Sequence, residues 1–155
     1  MSFFNQLEAE TKQDREALFS IPIIQDALRG EIKLNQYLAF LKEAYHHVKY
    51  TVPLLTACKN EISCDYPWLK EAMSHYIEDE MGHEEWILND IKAAGGKHEE
   101  IRHSEPSIFT ELMVADAYYQ IYQKNPIGFL GMVFVLEGTS IAIATNAAEA
   151  MQKSL

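Results

Sequence analysis

The stretch YIEDEMGHEEWILNDI, residues 76–91, decides how this chain folds. Leu69, Met73, Tyr76 or Ile77, Ile87 and Ile91 return at helical spacing, which predicts one helix from Pro67 or Trp68 to the Gly95-Gly96 pair. On the same face, Glu80 and His83 or Glu84 stand where hydrophobes belong. Residues three apart on a helix point the same way. A buried carboxylate with no partner is costly enough to be neutralised or paired. A divalent metal is one such partner, because carboxylate oxygen and neutral imidazole nitrogen suit iron, manganese or zinc. Glu-x-x-His is also the half-motif from which helical bundles build dinuclear carboxylate sites. On its own the pattern fits a solvated face or a buried ion pair at least as well.

Outward from this segment the helical period continues. A short amphipathic helix is expected over residues 3–17, and Pro22 opens a long one reaching about residue 55. Its buried stripe is Leu34, Leu38, Leu41, Tyr45 and Val48, and Pro53 kinks or ends it. CKNEISCDYP, residues 58–67, reads as a loop. A further helix starts near Pro106 or Ser107 and stops before Pro126, and the last runs from about Ile127 to the final residue. No strand pattern, repeat or low-complexity tract interrupts the series. The fold class is therefore all-α, a bundle of long helices in one domain spanning residues 1–155. The last helix is Ala-rich with no stop signal at its end, as if more chain once followed.

With 13 Lys and Arg against 23 Asp and Glu, the formal net charge is −10. Such a balance leaves no broad basic surface for a phosphate backbone or anionic lipid, so neither nucleic acid nor membrane is an expected partner. Cys58 and Cys64 are separated by five residues and lack CxxC spacing; they read as ordinary reduced thiols. The N-terminus turns charged after four residues, unlike a signal peptide, and no apolar run is judged to approach a membrane span. A cytoplasmic protein is expected.

Glu137 lies in GFLGMVFVLEGTSIAIA, residues 128–144, flanked on both sides by long uncharged runs. Whichever way that helix turns, its side chain is expected inside, as a metal ligand, a catalytic carboxylate or a structural hydrogen-bond acceptor. A second Glu-x-x-His occurs in LKEAYHHVKY as Glu43 and His46, with His47 beside it. Both flank the Leu41, Tyr45, Val48 stripe, so a surface pair is the leading reading, with one of the two histidines turned inward. His75 and Asp116 read as surface residues, and the tyrosines as core-edge residues.

The segments YHHVKYTVPLL, YIEDEMGHEEWILNDI and NPIGFLGMVFVLEGTSIA, in that order, resemble the haem-oxygenase-like superfamily. Within it they resemble the group of TenA- and PqqC-like proteins and non-haem iron oxidases. The resemblance implies a haem-oxygenase-like bundle in a protein that uses non-haem iron, mononuclear or dinuclear, to oxidise a small organic substrate. It assigns Glu80, His83 and Glu137 as metal ligands, with Glu43 and His46 as catalytic or supporting groups. A His-xxx-Asp-xx-His cluster that completes the family's metal site has no counterpart before Leu155. The expectation is a fragment, a shortened relative, or a site completed by another chain. The apolar surface that further helices would cover implies a homodimer. Two alternatives remain: a cofactor-free PqqC-like oxidase or acid–base enzyme using His83 or His46, and a non-catalytic interaction module.

Overall fold

Helix boundaries in this chain have local causes, and several are sharper than sequence periodicity suggests. The computed structural model describes residues 2–154; among them there is no strand. The elements are α1 (Phe3–Glu10), α2 (Lys12–Phe19), α3 (Pro22–Arg29), α4 (Leu34–Val48), α5 (Thr51–Glu61), α6 (Pro67–Glu80), α7 (His83–Ala93), α8 (His98–Arg102), α9 (Ile108–Gln123) and α10 (Pro126–Ser154). The expected all-α class holds.

The single helix expected from Pro22 to about residue 55 is three. Pro22 opens α3 as predicted, but Gly30 closes it in the left-handed region at φ 70, with its N–H turned back to Ala27 and Asp26. Glycine adopts that conformation without a Cβ penalty. A Cβ there would also sit 2.8 Å from the carbonyl oxygen of Ala150. Pro53 neither kinks nor ends a helix. It occupies the first turn of α5, where its missing N–H would have had no intrahelical partner. The segment read as a loop from Cys58 is helical through Glu61, and Ile62 beyond it is buried. The first expected helix is divided at Thr11, and α8 has no counterpart in the sequence reading. The start of α9 agrees with expectation: Ser107 is its N-cap, accepting from the Thr110 N–H.

Contacts divide the chain into two compact units, residues 1–34 with 131–155, and residues 35–130. In the second, α5 packs on α6 and α9, and α7 packs on α8. Leu41 and Tyr45 meet Leu88 and Ile91, with Tyr37, Leu38, Ile87 and Ile101 around them. Leu34, the first residue of the expected stripe, is instead exposed at the end of α4. In the other unit, the Phe4 ring meets Phe134 edge-on at 5.9 Å, and the Arg15 guanidinium lies over the same Phe134 ring.

One exclusion drawn from the sequence is corrected. Pro126–Ala150 forms a helical stretch long and apolar enough, by length and composition, to cross a membrane, and little of it is buried. Glycine, alanine, serine and threonine interrupt its apolar residues, so no unbroken run stands out although the average is apolar. Length and composition of one such helix are weak grounds for a membrane role.

Candidate metal centre

Glu80 and His83 do come together, but not on one helix. Glu80 is the last residue of α6 and His83 the first of α7. Between them Met81 has φ −64, ψ 123 and Gly82 has φ 87, ψ 0. These are the torsions of a type II turn, which requires positive φ at its third residue and so favours glycine there. The continuous helix expected from Pro67 to the Gly95-Gly96 pair is therefore broken between the two candidate ligands.

Across the turn, Nδ1 of His83 lies 2.9 Å from Oε2 of Glu80. The side chains are 29% and 14% exposed, so the pair is sheltered yet reachable from solvent. Trp86, one turn into α7, lays its indole against the His83 ring at 4.2 Å between centroids and 35° between planes. A carboxylate accepting from Nδ1–H holds the tautomer that leaves the Nε2 lone pair for another partner. A hydrogen-bonded carboxylate on the second nitrogen is also what orients metal-binding imidazoles.

His46 is fully buried, contrary to the surface reading of its pair. It is the inward-turned histidine, and His47 is partly buried. Ser104 Oγ donates to the Ile101 carbonyl, so at 3.0 Å it accepts from Nε2–H of His46. Nδ1 then faces the Lys49 ammonium at 3.1 Å, which can only donate. Burial, and secondarily the Lys49 charge, hold the His46 pKa below its usual value. Lys49 also lies 5.6 Å from the Tyr45 ring centre and 5.5 Å from that of Tyr50.

Glu43 is committed elsewhere. Its Oε2 accepts from the Ser107 N–H at 3.0 Å and the Thr110 hydroxyl at 2.6 Å, tying α4 to the first turn of α9. Burial pushes this carboxyl up, but those hydrogen bonds outweigh it and its pKa is lowered overall. A small hollow lies between His46, Tyr50, Pro106, Thr110, Glu111 and Val114.

Glu137 is exposed, not inside. It belongs to the unit of residues 1–34 and 131–155, whereas Glu80 and His83 belong to that of residues 35–130. The long uncharged runs around it were no guide to burial, because little of α10 is buried. Among the described residues, no group of three His, Cys, Asp or Glu side chains is arranged to hold a metal ion. Glu80 and His83 supply one carboxylate and one imidazole, side-chain types that iron accepts, and by themselves they are fewer than a complete site. His75 and Asp116 are exposed, as expected.

Sequence reasoning missed Trp86, Lys49 and Ser104. Trp86 lies three residues beyond His83 and was legible by helical spacing. Ser104 lies 58 residues beyond His46, and no sequence signal links them.

The model of a family described as iron-containing redox enzyme matches residues 38–155. A solved structure of a domain of unknown function with a heme oxygenase-like fold, from Shewanella denitrificans OS217, is similar with a TM-score of 0.83 and 23% identity. The match covers 99% of this chain and 66% of that one. No curated protein matches the sequence.

Proposed function

This chain belongs to the iron-containing redox enzyme family, and on that premise we propose that it is a non-haem iron oxidase or oxygenase acting on a small organic substrate. The observation that supports this most directly is the Glu80–His83 pair, an imidazole with its Nδ1 held by a carboxylate at a glycine turn and partly exposed to solvent. When bound, ferrous iron would supply the electrons that reduce dioxygen. The chain's own work is to hold and orient. Glu80 and the Trp86 indole fix the plane and tautomer of His83, and Glu80 brings the negative charge that favours a cation.

A second reading has its own observation. A carboxylate on Nδ1 and a partly exposed imidazole also describe a general base, so His83 could move protons in a cofactor-free reaction with Glu80 orienting it. His46 is less suited to that task, since both its ring nitrogens are engaged.

Anaerobic loading with Fe(II), followed by measurement of iron per chain, separates the two. The iron reading expects retained iron that falls at least about tenfold in affinity in Glu80→Ala and His83→Ala, with helical content unchanged. A folded chain that retains no iron, in the wild type as in the variants, would rule the iron reading out.

A further inference from the structure

We propose that the outward face of α9 is the contact surface for a second copy of this chain, packed antiparallel, independent of any metal. The helix is apolar on both sides. Val114, Ala117 and Ile121 are buried within its own unit. On the opposite side Ile108, Leu112, Ala115, Tyr119 and Tyr122 follow one another at steps of four, three, four and three residues. That is the seam spacing of paired helices, over two heptads. Its large members, Ile108, Leu112, Tyr119 and Tyr122, and Phe109 beside them, are all more than half exposed.

Area and charge both favour a second copy as the occupant. Taking about 200 Å² for each large side chain, the exposed part of this face is roughly 600 Å² per copy. A pair then removes at most about 1,200 Å² from water, the lower edge of specific interfaces.

Turned end for end about residue 117, the face matches itself. Leu112 meets Tyr122 of the second copy, and small Ala115 meets large Tyr119, each contact occurring twice by symmetry. Glu111, in the first turn of α9, comes beside Lys124 at the far end of the other α9. Lys124 leans onto this face, with Nζ 5.5 Å from the Tyr119 ring centre. A parallel pair would instead set Glu111 against Glu111 and align the two helix dipoles. The net charge of −10 on each copy opposes association, so salt should strengthen it.

Sedimentation velocity of the full chain over a range of concentrations and salt tests this. Expected is a monomer–dimer equilibrium that shifts toward dimer as salt rises. Leu112→Glu or Tyr122→Lys alone should weaken it at least about tenfold, with unchanged circular dichroism because both side chains point outward. Mixing the two variants should restore a dimer, since position 112 faces position 122 only in the antiparallel arrangement. A chain that stays monomeric throughout, a dimer indifferent to both substitutions, or a mixture that fails to re-associate would each overturn the proposal.

Discussion

Acidification from pH 7.5 to 5.5 should destabilise this protein through His46, by an amount that can be bounded. The imidazole is fully buried and its two nitrogens have opposite tasks, Nε2–H donating to Ser104 and Nδ1 accepting from Lys49. A second proton would remove the Lys49 hydrogen bond and set two cations side by side. The folded-state pKa is accordingly lowered. Because the unfolded chain takes up this proton first, the His46 contribution is complete above the unfolded value of about 6.5 and declines as pH falls below it. The slope approaches about 1.4 kcal/mol per pH unit until the folded value is reached. At pH 5.5 the loss is therefore at most about 1.4 kcal/mol. Urea denaturation at half-unit pH steps measures the curve, and His46→Leu supplies the comparison. That variant should be less stable at pH 7.5 by about 1–3 kcal/mol, since it strands Lys49 and Ser104, and its stability should fall less steeply with acid. An identical slope in wild type and variant would refute the reasoning.

Two other groups give independent expectations. Glu43→Ala removes the acceptor that ties Ser107 and Thr110 of α9 to α4, and should lower unfolding free energy by about 1–3 kcal/mol in urea melts. Its lowered carboxyl pKa means that this contribution is present above the ordinary value of about 4.5 and is lost as pH falls through the folded value. Cys58 is fully buried, with its thiol pKa pushed up to about 11 by burial, whereas Cys64 is exposed. A thiol reagent at neutral pH should therefore titrate one cysteine per native chain and two after unfolding.

What was legible in the sequence was whatever the chain marks locally. Pro22, Pro67 and Ser107 announce helix starts, and the three-four spacing of Leu41 and Tyr45 announces the buried side of α4. What was not legible depended on backbone sign or on distant partners. Gly30 and Gly82 look like tolerable glycines inside a periodic pattern, and only their positive φ shows that Gly30 closes one helix and Gly82 opens another. Glu43 and Glu80 have the same sequence context, Glu-x-x-His. One became a cap on α9 through residues more than sixty positions away, and the other found its histidine across a turn. For Glu137, burial was inferred from neighbouring residue types, but neighbours in sequence do not decide whether a helix face is covered.

The turn at Gly82 has a chemical meaning beyond the break it makes. On a continuous helix, the separation of two groups three residues apart is fixed by the helical repeat. Here the separation of Glu80 and His83 is set by four backbone torsions at Met81 and Gly82. Nothing lies within 4 Å of where a Cβ would stand on Gly82, so space does not demand glycine; the handedness of the backbone does. Any L-residue at position 82 would press the segment toward a right-handed conformation and change the spacing of Glu80 and His83 without touching either side chain. The hydrogen bond between the Glu80 carboxylate and the His83 imidazole would then be governed by a residue that carries no side chain.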